Sequence, residues 1–243
     1  MRTRIDQLLV ARGLFESRSQ ARAAIEAGLV AANGVAVRKP SEQFTDDATL
    51  QAQPAHRWVG RGALKLDHAL TVWPVAVEGR VVLDVGASTG GFTEVCLDRG
   101  AAKVFAVDVG FGQMHERVAA DPRVVSLERT DARDLTPDLI PERPSLIVCD
   151  ASFISLIKVL PAALDLAAPG ADLVTLVKPQ FEANGPGSGK KGVVKDPAAH
   201  AAAVERVRDW LEAMGWAVQA TTESPITGGD GNVEFLLWAK KPG

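Results

Sequence analysis

The segment VVLDVGASTGGFTE, residues 81–94, constrains the fold more than any other stretch of this sequence. A short apolar run ends in an acid, small residues and glycines follow, and the first turn of a helix comes next, an arrangement that brings backbone close to a ligand. From residue 81 onward, strand-like apolar runs alternate with helical segments. We predict strands at 81–85, 103–107, 124–127, 146–149, 172–177, 216–223 and 233–240, and helices near 91–99, 113–120, 155–167 and 197–214. The alternation predicts a doubly wound, Rossmann-like α/β domain.

Charged residues stand where the predicted strands end. In a doubly wound sheet, ligands bind beyond the carboxyl ends of the strands, at the point where the strand order reverses. The charged residues at the ends of five successive strands are Asp84, Asp108, Asp131, Asp150 and Lys178. Any one of these acids could simply cap the following helix, but the whole set favours a binding site at this edge.

The loop after the first strand indicates a ligand without phosphates. Its sequence, GASTGG at residues 86–91, lacks the G-x-G-x-x-G spacing that holds a pyrophosphate, and no Lys-Ser/Thr pair of a Walker loop follows it. Asp108, about 20 residues further on, can accept hydrogen bonds from both hydroxyls of a ribose. An acid at this position occurs in several nucleotide-binding families, so it is the loop sequence that distinguishes a ligand without phosphates from a dinucleotide.

The charge of the chain is divided unevenly between its two ends. Residues 1–40 hold seven basic and three acidic residues, a net charge of +4, whereas the remainder holds 20 basic and 27 acidic residues, a net charge of −7. A basic head on an acidic body indicates that the head binds a polyanion. A solvated basic surface without a partner is the alternative, and charge alone does not separate the two.

The basic head has helix and hairpin signals of its own. Residues 5–9 have helical apolar spacing, and Ser17-x-x-Gln20 is a capping box that opens a second helix. Asn33-Gly34 lies between two β-rich pieces and is typical of a type I′ hairpin turn. Arg18 and Arg22 are four residues apart, so they share one face of the second helix.

These features resemble the S4 RNA-binding domain over RIDQLLVARGLFESRSQARAAIEAGLVAANGVAVRKP, residues 4–40. The resemblance implies a small α+β domain over residues 1–60 whose basic helix face lies on structured RNA. Residues 41–62 are predicted to be a connector, with the linker at about 54–62 and the second domain at 63–243. The expected RNA-binding residues are Arg4, Arg18, Arg22, Arg38 and Lys39.

The second domain is similar to S-adenosylmethionine-dependent methyltransferases, and DVGASTGGFT narrows this to the FtsJ-type RNA 2′-O-methyltransferases. Together with CDASFISL and VKPQFE, and behind an S4-like head, it resembles the TlyA family, described both as ribosomal RNA methyltransferases and as hemolysins. The implied substrate is a cytidine ribose in 16S or 23S ribosomal RNA, free or in a ribosomal subunit, with S-adenosyl-L-methionine as cofactor. The implied cofactor-binding residues are Asp84, Gly86, Ala87, Ser88, Thr89, Gly90, Gly91, Asp108 (ribose) and Asp131 (adenine). The implied catalytic residues, a Lys-Asp-Lys-Glu tetrad, are Lys65, Asp150, Lys178 and Glu234.

Methyl transfer to a 2′-hydroxyl requires in-line alignment and removal of a proton. A lysine accepts that proton only when it is neutral, yet its reference pKa is about 10.4. Nearby carboxylates favour the charged form and burial favours the neutral one, so the residues alone leave the balance open. We expect Lys178 to be the base and Asp150 to steer it, with Lys65 and Glu234 orienting the ribose. An ordinary Lys178–Glu234 ion pair is the alternative.

Other functions find less support in the sequence. The longest uncharged stretch, residues 27–37, is too short for a membrane span, which needs roughly 18 apolar residues. Four scattered histidines predict no metal cluster, and two cysteines without a CxxC pair predict a cytoplasmic setting. Residues 182–196 are predicted to be a lid over RNA or a solvated loop. A membrane-active hemolysin and a non-catalytic RNA-binding scaffold remain as alternatives, and the oligomeric state stays open.

Overall fold

The computed structural model describes residues 2–182, 193–228 and 231–243. It divides into two compact units, residues 1–61 and 62–243. The expected lid at 182–196 falls mostly on residues 183–192, which lie outside the described residues. None of the helices in the described ranges has both the length and the apolar character that crossing a bilayer requires.

The N-terminal unit contains the two predicted helices and the predicted hairpin. Ser17 caps the second helix by accepting a hydrogen bond from the Gln20 backbone N–H at 3.3 Å. Asn33 and Gly34 have φ values of 51° and 77°, as a type I′ turn requires. The elements are β1 (Arg2–Arg4), α1 (Ile5–Ala11), α2 (Arg18–Glu26), β2 (Val30–Ala32), β3 (Val35–Ala36), β4 (Gln43–Thr45) and β5 (Leu50–Ala52).

The prediction that residues 41–62 are only a connector is wrong. Strand β4 pairs antiparallel with β1, and β5 pairs antiparallel with β2 beside the hairpin strand β3. Phe44, Leu50 and Ala52 pack against the core of the N-terminal unit. Each strand has only three residues, so its apolar contribution is too short to produce a visible alternation in a polar segment.

The C-terminal unit follows the predicted order of strands closely. Its strands are β6 (Val81–Val85), β7 (Lys103–Val107), β8 (Val124–Leu127), β9 (Leu146–Cys149), β10 (Asp172–Val177), β11 (Ala217–Glu223) and β12 (Phe235–Lys240). Its helices are α3 (Gly62–Val72), α4 (Gly91–Asp98), α5 (Glu116–Ala119), α6 (Leu156–Val159), α7 (Pro161–Leu166), α8 (Pro179–Glu182) and α9 (Pro197–Ala213), with a 3₁₀ turn at Ala132–Asp134. The predicted helix at 155–167 is two helices, because Pro161 has no backbone N–H and starts a new one.

One seven-stranded sheet organises this unit, in the order β11-β12-β10-β9-β6-β7-β8. The strands from β10 to β8 are parallel, while β12 and β11 are antiparallel additions at one side. This arrangement confirms the predicted Rossmann-like fold. The chain order reverses at β6, which lies between β7 and β9, so the loop after β6 lies at the switch point where such sheets bind ligands.

Candidate active site

A cavity of about 520 Å³ lies at the carboxyl ends of the central strands. This volume is within the range of small-molecule sites, roughly 300–1,000 Å³. Three of the four predicted strand-end acids line it, namely Asp108, Asp131 and Asp150, together with Gly86 and Ser88 of the loop after β6. The sheet therefore gathers residues from four strands around one space.

The loop after β6 closes tightly against the next strand end. Gly86 has a φ of 83°, and a Cβ at this position would lie 3.0 Å from the backbone of Ala151. Only glycine combines that conformation with so close an approach. Asp108 holds the loop by accepting backbone N–H bonds from Ser88 at 2.8 Å and from Gly110 at 2.7 Å. One N–H thus reaches each carboxylate oxygen, which leaves lone pairs free for a ligand.

The other predicted loop residues lie around this turn. Ala87 is buried, and Thr89 is exposed and accepts a backbone hydrogen bond from His115 at 3.1 Å. Gly90 has a φ of 88°, and a Cβ there would lie 3.0 Å from Val118. Gly91 is the first residue of α4. These four residues belong to the same loop as Gly86 and Ser88, but they are not among the residues that line the cavity.

Asp84 lies beneath the loop rather than among the residues that line the cavity. Its side chain is fully buried, and its Oδ2 accepts a hydrogen bond from Thr93 Oγ1 at 2.6 Å. Within the described part of the chain, its Oδ1 has no hydrogen-bond partner. Burial raises the pKa of Asp84 to about 7, and the nearby charges of Asp150 and Asp108 act in the same direction, against the hydrogen bond from Thr93.

Asp131 follows β8 and starts the 3₁₀ turn. Its carboxylate accepts hydrogen bonds from the backbone of Arg133 at 2.9 Å and from the guanidinium of the same residue at 2.6–3.1 Å. These bonds lower the pKa of Asp131. The side chain of Arg133 is 57% exposed, so the carboxylate is held in place by a partner that solvent can reach.

Lys178 follows β10 and is buried, with 5% exposed. Its Nζ donates hydrogen bonds to Ser152 Oγ at 2.7 Å and to the carbonyl oxygen of Asp150 at 3.2 Å. Asp150 Oδ1 lies 2.6 Å from the same Nζ, which makes an ion pair by distance although the contact is not aligned as a hydrogen bond. Three oxygens thus surround Nζ, two as hydrogen-bond acceptors and one as an ion-pair partner.

Lys65 and Glu234 form a second buried ion pair. Lys65 Nζ donates a hydrogen bond to Glu234 Oε2 at 2.6 Å, and the two residues are 7% and 3% exposed. The alternative of a Lys178–Glu234 pair is wrong, because each lysine has a different carboxylate. A Cβ at Gly228 would overlap Glu234 Oε1, so glycine at this position leaves the space that the carboxylate occupies.

Sheet register and one helix bring these four residues together. Val177 lies opposite Phe235 in the antiparallel β10–β12 pair, so Lys178 and Glu234 occupy the next position. Asp150 directly follows β9, the parallel neighbour of β10. A Cβ at Gly62, the first residue of α3, would lie 3.1 Å from Asp150 Oδ2. Lys65 lies one turn further along α3, so the two ion pairs are neighbours.

Two of the cavity-lining residues that sequence reasoning missed belong to the segment after Asp150. Ser152 is the hydroxyl partner of Lys178, and Phe153 is 88% exposed and has a φ of 66°. Both line the cavity. A positive φ is a rare and strained conformation for a bulky residue. The SF dipeptide after Asp150 carries no residue pattern that would have predicted this strain.

In the N-terminal unit, two of the predicted RNA-binding residues are anchored to a buried acid. Asp6 is fully buried, and it accepts hydrogen bonds from Arg4 at 3.0 and 3.2 Å and from Arg18 at 3.3 and 2.7 Å. Burial would raise the pKa of Asp6, but these bonds outweigh it and lower the pKa to about 2. The other three predicted residues are exposed, namely Arg22, Arg38 and Lys39.

Comparison with known proteins identifies the family. Residues 58–241 match the FtsJ-like methyltransferase family, and residues 3–50 match the S4 domain. The chain is 49% identical, over 98% of its length and 90% of the relative, to "16S/23S rRNA (cytidine-2'-O)-methyltransferase TlyA" of Mycobacterium tuberculosis. The chain belongs to the TlyA family of FtsJ-like methyltransferases.

Two further likenesses extend over nearly the whole TlyA-family chain. It is 46% identical, over 99% of its length and 86% of the relative, to "Putative rRNA methyltransferase YqxC" of Bacillus subtilis. The chain also matches a solved structure, "Putative hemolysin from Streptococcus thermophilus", with 41% sequence identity and a TM-score of 0.79. The match covers 99% of this chain and 89% of the chain in that structure. Membership of a methyltransferase family implies S-adenosylmethionine as the methyl donor. Among the residues described, no group of three or more His, Cys, Asp or Glu side chains is placed to hold a metal ion.

Proposed function

We propose that this protein transfers the methyl group of S-adenosylmethionine to the 2′-oxygen of a cytidine ribose in 16S or 23S ribosomal RNA. The observation that carries the proposal is the pair of neighbouring ion pairs, the partly buried Lys178–Asp150 and the buried Lys65–Glu234, beside the strand-end cavity. The 49% identical relative is named for this reaction. Residues 1–60 bind RNA and residues 63–243 carry out the transfer.

The cavity residues fit the donor molecule, which would supply an electrophilic methyl group when bound. Asp108 faces the cavity with a carboxylate that can still accept two hydrogen bonds, as the two hydroxyls of a ribose require. Asp131 would accept from the adenine amino group with an oxygen that Arg133 already holds in place. Backbone from Gly86 to Gly91 would surround the remainder, and Asp84 supports this loop through Thr93.

Lys178 is the base in the proposed reaction. As the ribose 2′-oxygen forms its bond to the methyl carbon, the carbon–sulfur bond breaks and Nζ accepts the hydroxyl proton. Nζ must first be neutral and must present its lone pair to the substrate, so one of the three oxygens that now surround it has to leave. The carbonyl oxygen of Asp150 can leave most easily, because its 3.2 Å contact with Nζ is the longest of the three. The Asp150 carboxylate and the Ser152 hydroxyl then keep Nζ in place.

The second ion pair and Phe153 position the substrate. Lys65 and Glu234 hold each other in a buried pair next to Asp150, and they orient the target ribose. Phe153 presents an exposed aromatic ring at the cavity, against Phe181 at a centroid distance of 5.4 Å. Single-stranded RNA is recognised by stacking unstacked bases on aromatic side chains, so Phe153 stacks the target cytosine.

The exposed cations of the N-terminal unit bind the RNA backbone. Arg22, Arg38 and Lys39 are free of the buried Asp6, and they contribute three positive charges. Arg4 and Arg18 share one carboxylate, so together with Asp6 they contribute a single net charge. The partner is ribosomal RNA, free or in a ribosomal subunit, and the reaction takes place in the cytoplasm.

The test is single-turnover methylation of ribosomal RNA and of isolated subunits, with mapping of 2′-O-methyl ribose. Wild type should methylate a cytidine ribose. Lys178→Arg should slow the chemical step by about 10²–10⁴-fold, because guanidinium stays protonated and cannot act as a base. The control Lys158→Arg changes an exposed lysine of α6 and should keep the rate. A near-native rate for Lys178→Arg would reassign the base, and methylation of a nucleobase instead of a ribose would overturn the proposed reaction.

A further inference from the structure

Glu182, the last residue of α8, makes contacts that the reaction itself does not require. The residue is buried, with 2% exposed. Its Oε2 accepts a hydrogen bond from Ser155 Oγ at 2.6 Å, and its Oε1 accepts one from the Leu156 backbone N–H at 2.8 Å. Arg206 of α9 donates to the carbonyl oxygen of Glu182 at 2.8 Å. Arg206 therefore fixes the backbone of Glu182, and the carboxylate of Glu182 binds a second segment of the chain.

That second segment is the start of α6. Ser155 is the N-cap residue of α6, yet its side chain makes no capping hydrogen bond to the helix. A serine at this position usually accepts a hydrogen bond from the second or third helical N–H. Here the hydroxyl donates to Glu182, and the other oxygen of Glu182 accepts the N–H of the first helical residue. A carboxylate is also favourable at the positive end of a helix, so Glu182 replaces the local cap from 27 residues away.

The capped helix fixes the segment that carries the reaction. Residues 150–155 run from the end of β9 to the start of α6, and they contain Asp150, Ser152 and Phe153. Phe153 has a φ of 66°, a strained conformation that persists only where the surrounding structure holds it. Since β9 fixes one end of the segment, the bonds from Ser155 and Leu156 to Glu182 fix the other.

Glu182 is connected equally closely to Lys178. The backbone N–H groups of Phe181 and Glu182 donate to the Lys178 carbonyl oxygen at 2.9 and 3.3 Å, so one turn of helix joins the two residues. Glu182 is therefore connected to Lys178 through α8 and to the segment that carries Ser152 through Ser155 and Leu156. We infer that Glu182 is a positioning residue, which sets the strained segment 150–155 against Lys178 so that Asp150 and Ser152 direct Nζ. This inference rests on the proposed methyl transfer.

The experiment compares single-turnover methylation of ribosomal RNA by wild type, Glu182→Ala and Glu182→Gln. Glu182→Ala removes both acceptors and should slow the step about 10- to 10²-fold, because a misplacement of about 1 Å costs up to about 10²-fold. Glu182→Gln should recover most of the rate, since its amide oxygen accepts from Leu156 and its amide nitrogen can donate to Ser155. The matched control is Asp172→Asn, which alters a buried carboxylate at the opposite end of β10 and should keep the rate.

A double-mutant cycle separates positioning from general stability. If Glu182 acts through the Lys178–Ser152 contact, then Glu182→Ala and Ser152→Ala should be non-additive in rate, whereas Asp172→Asn and Ser152→Ala should be additive. Should Glu182→Ala not fold, Ser155→Ala removes one of the two bonds, and slower transfer by this variant supports the inference. An unchanged rate in Glu182→Ala or Ser155→Ala, or additivity with Ser152→Ala, overturns it. A wild type that never methylates ribose would instead refute the proposed function.

Discussion

Replacing Asp84 with asparagine should change how the stability of the protein depends on pH. Asp84 is fully buried beneath the cofactor loop, and one of its oxygens has no hydrogen-bond partner among the described residues. Asparagine keeps an oxygen that can accept the bond from Thr93. It removes a group whose charged form is disfavoured inside the fold, chiefly by burial.

The sign and size of the effect follow from the pKa of Asp84. The folded-state pKa of about 7 lies above the reference value of 3.8, so the folded protein binds the proton more tightly than the unfolded chain does. The stabilisation is complete below pH 3.8 and is lost as the pH rises through about 7. At 1.36 kcal/mol per pH unit, wild type should lose about 3 kcal/mol relative to Asp84→Asn between pH 5 and pH 8.

Denaturant unfolding of both proteins at several pH values between 5 and 8 measures this difference. The absolute stability of the variant is less informative, because a buried amide N–H without an acceptor costs about 1–3 kcal/mol. This cost does not depend on pH, so it does not affect how the free energy of unfolding changes between pH 5 and pH 8. Asp172→Asn is the control, since it removes a buried carboxylate that Arg80 and Trp238 already satisfy. Parallel stability curves for wild type and Asp84→Asn would refute the reasoning.

Three further predictions concern ligands and the N-terminal unit. Asp108→Ala should weaken S-adenosylmethionine binding about tenfold, because the two ribose hydroxyls lose their acceptor; calorimetry that shows tight NAD binding instead would contradict the site. Arg22→Ala should reduce the slope of log RNA affinity against log salt by about 0.9 for each phosphate that the side chain neutralises in wild type, and an unchanged slope would place the RNA surface elsewhere. Arg18→Ala should lower the free energy of unfolding by about 1–2 kcal/mol at neutral pH, because Asp6 stays buried with fewer partners. Denaturant unfolding should show that this loss is complete above pH 3.8 and shrinks as the pH falls through about 2, the folded pKa of Asp6; a loss that does not change with pH would contradict it.

The central strands β6, β7, β9 and β10 could be predicted because each is a short, largely buried apolar run with a charged residue at or near its end. The bounds predicted for β6, β7, β8, β9 and β10 agree with the structure. Helix α3 was missed because its apolar residues follow a glycine-containing segment without a capping residue. The partners within the tetrad could not be assigned from the sequence either, since Lys65 and Glu234 are 169 residues apart and become neighbours only because α3 lies beside the end of the sheet.

Charge patterning of the head led to a prediction that the structure refines. Arg18 and Arg22 share a helix face, as their spacing indicates, but Arg18 is tied to Asp6, which is 12 residues away in sequence. Long-range pairing of this kind leaves no periodic signal. A double Arg18/Arg22 variant would therefore combine a loss of stability with any weakening of RNA binding, whereas Arg22 alone reports on the RNA.

Variants of the tetrad differ in how directly they report on proton transfer. Lys178 and Glu234 face each other one step beyond the last strand pair, yet each is neutralised by a different partner, Asp150 or Lys65. Removing Lys65 leaves the buried carboxylate of Glu234 uncompensated, at a cost of about 3–5 kcal/mol, and removing Lys178 leaves the partly buried carboxylate of Asp150 without its cation. Such a loss is a large fraction of the stability of an ordinary domain, so an inactive alanine variant does not distinguish a missing base from a misfolded site. A charge-conserving variant keeps the electrostatic balance while it removes the ability to accept a proton, which is why Lys178→Arg tests the chemistry more directly than Lys178→Ala does.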